Sequence, residues 1–198
     1  MSDELFESLY EAAVRGEREV PWDREEPRPR LVEWARGLDG KGQSALVVGA
    51  GFGTDAEFVS GLGFDTTAFD VAPTAVRLAR ERHPGTRVNY TVADLLDPPE
   101  AWRQRFDLVV ECLTAQSIPD GPRPRAIANI AAMAAPGGTL LVIASGRDEE
   151  DGPVQGPPWP LTRAEVESFA TGGLETVAIE AFPQHPRWRA EFRRPPLP

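Results

Sequence analysis

Ala45-Leu46-Val47-Val48-Gly49-Ala50-Gly51-Phe52-Gly53-Thr54-Asp55 is the stretch that decides the fold. Ala45 to Val48 is a short apolar run, the pattern of a strand buried on both faces of a parallel sheet. The glycines that follow can turn with φ > 0 and let the backbone come close to a ligand. Thr54-x-x-Glu57 then reads as a capping box opening a helix. Strand, glycine turn and helix N-terminus together form a cradle of backbone N–H groups suited to an anionic or strongly polar ligand.

The spacing narrows the ligand. A dinucleotide fingerprint requires G-x-G-x-x-G. Here Gly49 and Gly51 are in register, but Thr54 takes the place of the third glycine and Gly53 comes one residue early. A second strand, Asp65 to Phe69, leads into Asp70, and a third, Val88 to Val92, leads to Ala93-Asp94. A carboxylate at such a strand end can accept hydrogen bonds from both hydroxyls of a ribose. Glycines, Asp70 and Asp94 on successive strand ends describe a nucleoside-binding edge.

Strand–helix alternation continues outward. Asp55 to Leu62 and a segment opening at Pro73 read as helices, with Pro73 well placed at a first helical position. His83 reads as a helix-end residue facing solvent, and Asp55 as a helix cap rather than a ligand. Phe106 to Leu113 is a dense apolar strand containing Cys112, which reads as a buried small hydrophobe. Pro124 to Ala135 returns as a helix, and Thr139 to Ser145 is a fifth strand. Such alternation implies a parallel sheet covered by helices on both faces. Upstream, Ser2 to Arg15 forms an amphipathic helix that Ser2 can cap, with Leu5, Phe6, Leu9, Tyr10, Ala12 and Ala13 as its apolar stripe. Pro29 to Leu38 places Leu31, Trp34, Ala35 and Leu38 on one face. The proline-broken segment between these helices carries Trp22. Downstream, Arg147 to Trp159 is acidic and aperiodic, a loop or lid. Thr162-x-x-Glu165 is a second capping box, and Leu174 to Ala181 and Trp188 to Arg193 alternate as strands, with Val177, Ile179 and Ala181 on one face of the first.

Composition limits the partners. With 198 residues the chain can build one sizeable core, and one domain over 1–198 is expected, with 1–42 as a helical cap or lid and 43–198 as the core. A formal net charge of −10 disfavours nucleic acid as a bulk partner. No stretch reaches the roughly 18 apolar residues of a membrane helix. The acidic start, Met1-Ser2-Asp3-Glu4, lacks the cationic and apolar regions of a signal peptide, and a single cysteine makes no internal disulfide, so a cytoplasmic protein is expected. His83, His185 and Cys112 are scattered, so no metal site is expected. The sequence leaves the oligomeric state open.

The runs VVGAGFGTD (47–55), FD (69–70), VADLLD (92–97), FDLVVECLT (106–114) and APGGTLLVI (135–143) together resemble a class I S-adenosylmethionine-dependent methyltransferase. Val20-Pro21-Trp22-Asp23, followed by proline-rich sequence, resembles the thiopurine and tellurite-resistance methyltransferases, which act on small thiols and other soft nucleophiles. Arg24-Glu25-Glu26 stands where that group carries a glycine.

The resemblance implies a doubly wound, seven-stranded, mostly parallel sheet of Rossmann-like type, with N-terminal helices and an antiparallel last strand. It implies S-adenosyl-L-methionine as cofactor, S-adenosyl-L-homocysteine as product and a small-molecule acceptor, with a thiol favoured over an oxygen or nitrogen. The expected cofactor residues are Trp22, Gly49, Ala50, Gly51, Gly53, Asp70 for the ribose, Val71, Asp94 for the adenine amino group, Leu95 and Glu111. Glu111 is also the candidate catalytic or positioning group. Phe6, Tyr10, Gln116, Ser117 and Arg147 are the candidate acceptor residues. Two other classes stand beside this reading: an NAD-binding oxidoreductase, disfavoured by the absent third glycine, and a non-catalytic cofactor-binding protein.

Overall fold

Our computed structural model describes residues 2–152, 154 and 156–198, and only the backbone of Ser2 and Asp3. The expected Ser2 cap therefore lies outside the described side chains. The seven strands follow the order β3-β2-β1-β4-β5-β7-β6, the doubly wound arrangement with an antiparallel strand inserted near one edge. The chain divides into two compact units, Met1–Asp94 and Leu95–Pro198.

The first unit comprises α1 (Ser2–Val14), α2 (Pro29–Trp34), β1 (Ser44–Val48), α3 (Thr54–Gly61), β2 (Asp65–Asp70), α4 (Pro73–Arg82) and β3 (Asn89–Val92). All five residues of β1 are buried, as a two-sided strand requires. β1 and β2 pair in parallel with Val48 opposite Phe69, and β2 pairs β3 with Asp70 opposite Val92. This register brings the three strands to their carboxyl ends nearly level, so the glycine turn, Asp70 and Ala93-Asp94 emerge at one edge. α1 buries Tyr10 and turns Leu5 outward, a narrower apolar face than the expected stripe. α2 is shorter than its periodicity implies. Ala35 is its C-cap, Gly37 follows at φ 78°, and Leu38 is left exposed.

The second unit comprises β4 (Phe106–Cys112), α5 (Arg123–Met133), β5 (Ala134–Ala144), α6 (Arg163–Glu167), β6 (Glu175–Ala181) and β7 (Trp188–Arg193). Cys112 is buried at the end of β4. β5 begins at Ala134, ahead of the expected start at Thr139. The register shift between Phe106 and Leu108 takes up these residues as an irregularity within the strand. β7 buries Trp188, Ala190 and Phe192, whereas Val177 of β6 is 55% exposed. β6 is the outer strand, so its alternation does not mark a core face. The Thr162 box is present in full: Thr162 Oγ1 accepts from Glu165 N–H at 3.2 Å, and Glu165 Oε2 accepts from Thr162 N–H at 2.8 Å.

Arg194, just past β7, anchors this unit. It is 7% exposed, and burial lowers its pKa. Its Nε donates to Ala134 O at 2.7 Å, Nη2 to Ala131 O at 2.9 Å and Nη1 to Gly172 O at 2.5 Å. The carbonyls at the end of α5 have no partner within the helix, and a cation there also meets the negative end of the dipole. Arg194→Ala is expected to cost about 3 kcal/mol, from charged hydrogen bonds worth about 1.5–3 kcal/mol each and carbonyls left buried. A urea titration reads this as a lower midpoint at unchanged slope. Arg194→Lys recovers little, because an ammonium cannot fork across three carbonyls.

Candidate active site

At the end of β1, Ala50 N–H donates to Phe69 O at 2.7 Å and Gly53 N–H to Ala50 O at 2.9 Å, closing the turn. Gly53, at φ 91°, is itself the N-cap of α3. The expected Thr54-x-x-Glu57 box is therefore not formed. Thr54 is the first helical residue, and its hydroxyl donates to Arg24 O at 2.8 Å. Glu57 Oε1 instead accepts from the hydroxyls of Tyr90 (2.7 Å) and Thr86 (2.5 Å). Nor does Asp55 cap the helix. Its Oδ1 accepts Arg28 N–H at 2.9 Å and its Oδ2 lies 3.2 Å from Arg28 Nε, tying down the segment before α2. His83 turns inward rather than to solvent, its Nε2 3.1 Å from Phe52 O.

Asp70 sits at the centre of this edge. It is 8% exposed, with Oδ2 accepting Gly51 N–H and Oδ1 accepting Ala72 N–H, both at 3.0 Å. Burial raises its pKa, against the lowering effect of these backbone amides. A carboxylate has about four acceptor positions, and the amides of Gly51, Ala72 and Val71 leave part of that capacity open to a ligand. A vicinal diol supplies two O–H donors and would offset the desolvation that raises this pKa. The site thus fits the ribose of S-adenosylmethionine. Gly49 and Val71 are half-buried beside it, Ala50 closes the turn, and Asp94 is half-buried after β3.

The N-terminal segment covers the glycine turn. A Cβ on Gly51 would lie 3.5 Å from Tyr10 Oη and 3.6 Å from Trp22 Cδ1. Trp22 Nε1 donates to Tyr10 Oη at 2.8 Å. Both rings stand edge-on, Tyr10 against Phe52 at 5.4 Å and Trp22 against Phe6 at 5.9 Å. Tyr10 is held protonated, its pKa raised by burial and then by the charge of Asp70. Polar links fix the segment at several points. Glu7 accepts from Thr74 N–H (3.0 Å) and Oγ1 (2.6 Å), and Asp23 pairs in bidentate fashion with Arg82 at 2.6 and 2.9 Å. Arg82 also lies over Phe52 at 4.3 Å. Phe6, Tyr10, Trp22, Gly51 and Asp70 are therefore brought together. Phe52, Thr74 and Arg82 join them without having been singled out from the sequence, although Phe52 lies inside the glycine turn itself, and Asp23 joins them through Arg82.

In the second unit the expected residues are largely engaged with their own loop. Glu111 is 1% exposed, and its Oε1 accepts the N–H groups of Thr114 (2.6 Å) and Ala115 (2.8 Å). Leu113, at φ 64°, makes the sharp turn that permits this. Ser117 Oγ donates to Leu113 O at 3.2 Å. Arg147 Nε donates to Pro160 O at 3.1 Å, with Nη2 3.6 Å from Glu165 Oε2. Leu95 is buried, its carbonyl accepting from Asn129 Nδ2 at 2.8 Å. Gln116 Oε1 accepts Ser145 N–H at 2.8 Å. Ser145 Oγ lies 3.2 Å from His185 Nδ1, a contact that sequence distance concealed.

Residues 45–138 match the family model described as "Methyltransferase domain". Over those residues the chain is similar to methyltransferase domains. It is 24% identical over 177 residues to a 2-heptyl-1-hydroxyquinolin-4(1H)-one methyltransferase of Mycobacteroides abscessus, covering 85% of this chain and 77% of that protein. It is 31% identical over 137 residues to a ubiquinone biosynthesis O-methyltransferase of Xanthomonas axonopodis pv. citri, covering 64% of this chain and 56% of that protein. Among solved structures, the fold superposes on the [4+2]-cyclase SpnF with a TM-score of 0.74, at 17% identity and covering 98% and 95% of the two chains. It superposes on a TehB-like methyltransferase of Corynebacterium glutamicum with a TM-score of 0.63, at 21% identity and covering 98% and 97%. These structural likenesses show the fold alone; a cyclase on the same fold illustrates why activity must be argued from the site. Among the described residues, no helix is long and apolar enough to cross a membrane.

Proposed function

We propose that the chain transfers the methyl group of S-adenosylmethionine to an oxygen of a small organic acceptor. The observation that carries the methyl-transfer reading is Asp70, a buried carboxylate with spare acceptor positions, fixed by Gly51 and Ala72 amides at the glycine turn. Gly49, Ala50, Gly53, Val71 and Asp94 complete the cofactor contacts, and Tyr10, Trp22 and Phe6 cover them. Bound cofactor supplies an electrophilic methyl on a sulfonium. The chain's own residues align the acceptor with it and exclude water, and such alignment is worth roughly 7–11 kcal/mol.

Oxygen is favoured by the two relatives named above, one a methyltransferase of a hydroxyquinolone and the other an O-methyltransferase. The thiol reading rests on Val20-Pro21-Trp22-Asp23. In this structure Trp22 and Asp23 have partners of their own in Tyr10 and Arg82, so packing accounts for them without a thiol. An acceptor panel separates the two: 2-heptyl-1-hydroxyquinolin-4(1H)-one and simple phenols against thiophenols, each with labelled cofactor. Methylation of thiols alone would return the assignment to the soft-nucleophile group.

Cofactor choice is tested by thermal shift. S-adenosylhomocysteine at 100 times its Kd is expected to add about 2.7 kcal/mol, which is a rise of roughly 5–10 °C for a chain of this size. NADH is expected to give none. The reverse pattern would favour an oxidoreductase, and a shift with S-adenosylhomocysteine but methylation of no acceptor would favour the non-catalytic cofactor-binding reading.

A further inference from the structure

A cleft of about 160 Å³ opens in the second unit, between the segment 95–105 and α5. The segment is fastened to the helix at both ends. Asn129 Nδ2 donates to Leu95 O at 2.8 Å, Gln104 N–H to Ala132 O at 2.7 Å and Arg105 N–H to Met133 O at 3.1 Å. Between these ties, Pro98 and Pro99 fix their own φ angles and Glu100–Trp102 forms a short 3-10 turn. The gap is thus framed by tethered chain. The buried part of its lining is apolar: Met133 is 2% exposed, and half-buried Trp102 stands edge-on to Phe106 at 6.2 Å. Its exposed rim carries both signs of charge, in Asp97, Glu100, Arg103 and Arg125. Among the described residues none of these four side chains has a hydrogen bond or ion pair, whereas Arg82, Arg123 and Arg187 each hold a carboxylate. Asn129 adds the acceptor Oδ1, its Nδ2 being committed to Leu95.

This lining discriminates by charge. A lone anion drawn to the two guanidiniums also meets two carboxylates, and a lone cation meets the converse. A small molecule bearing both charges satisfies all four groups, and its uncharged part covers the apolar lining. The volume equals the share of about five liquid waters, the size of a free amino acid. We propose that the cleft binds a free aliphatic α-amino acid. Its carboxylate meets Arg103 and Arg125, each guanidinium offering a planar pair of N–H donors. Its ammonium meets Asp97, Glu100 and Asn129 Oδ1, and its side chain lies against Trp102 and Met133. The site is contained in the second unit and does not depend on the methyl-transfer reading.

The test is calorimetric titration of the full chain with L-leucine, with and without S-adenosylhomocysteine. L-leucine is expected to bind with a Kd on the order of 1 mM. N-acetyl-L-leucine, which lacks the cation, and L-leucinamide, which lacks the carboxylate, are each expected to bind about 10-fold more weakly. Arg125 and Glu100 are exposed, so replacing them spares the core. Arg125→Gln and Glu100→Gln are each expected to weaken L-leucine about 10-fold. Arg125→Gln should leave leucinamide unaffected and Glu100→Gln should leave N-acetyl-leucine unaffected, since each derivative already lacks the group that the residue meets. S-adenosylhomocysteine should leave the leucine affinity unchanged. No binding of L-leucine at about 10 mM, equal affinity for leucine and its two derivatives, or wild-type affinity in both variants overturns the proposal. Competition by S-adenosylhomocysteine overturns it as well, because leucine would then occupy the glycine cradle of the first unit.

Discussion

Asp70→Asn is expected to weaken S-adenosylhomocysteine binding by about 2–4 kcal/mol, on the order of 10²-fold in Kd. The carboxylate would accept two ribose hydroxyls by charge-assisted bonds while keeping Gly51 and Ala72 N–H. An asparagine loses the charge and turns one acceptor into a donor, which then faces either a backbone N–H or a hydroxyl. The pH dependence gives a second signature. Burial raises the pKa of Asp70 in the folded protein, so the folded state holds more protons than the unfolded one between about pH 3.9 and the raised value. The ligand-free protein therefore gains stability as pH falls through that window and loses it as pH rises. Asp55, also raised by burial, works in the same direction, while Asp148, lowered by Arg187, works in the opposite direction below the usual carboxylate range. Binding favours the ionised form, so affinity falls as pH falls. Calorimetric titration should show Kd rising toward acid pH in wild type and staying flat in the variant. Equal affinity in the two proteins would remove Asp70 from the site.

That carboxylate was legible in the sequence because everything that places it is local. A strand one residue from its end, a glycine turn one strand away and a parallel register are all set by patterns of a few residues. The same holds for β1, α4 with Pro73 at its start, and the Thr162 box. What stayed hidden depends on partners far along the chain. Thr54 and Glu57 have the spacing of a capping box, but Gly53 already supplies the turn, and Arg24, Tyr90 and Thr86 take the side chains instead. His83 ends its helix as read, yet the return of α4 toward the turn gives it a carbonyl of Phe52 to meet. Ser145 and His185 stand 40 residues apart with α6 and β6 between them, and no local spacing marks their contact. Val177 misled for a different reason: alternation signals a face, and only the strand order tells whether that face is covered.

Gly53→Ala is expected to be the most damaging single change at the turn, because two independent costs coincide there. At φ 91° an alanine is strained by about 1–2 kcal/mol. Its Cβ would also run into Tyr90 Oη, with Tyr90 Cζ at 2.9 Å and His83 Cδ2 at 3.1 Å. Tyr90 cannot simply move. It is 1% exposed, and its hydroxyl bonds Glu57 Oε1 at 2.7 Å and Gly53 O at 3.3 Å. Overpacking of this kind costs about 1–3 kcal/mol more, so with the strain a total of roughly 2–5 kcal/mol is expected, read as the loss of denaturation midpoint. The double variant Gly53→Ala/Tyr90→Phe separates the two costs. Removing Oη relieves the shortest contact but leaves Cζ at 2.9 Å and the backbone strain, and deprives Glu57 of a donor. The pair should therefore be less destabilised than the sum of its single changes, with a coupling of about 0.5–3 kcal/mol. Strict additivity would show that the turn, not the Tyr90 hydroxyl, sets the demand for glycine at position 53.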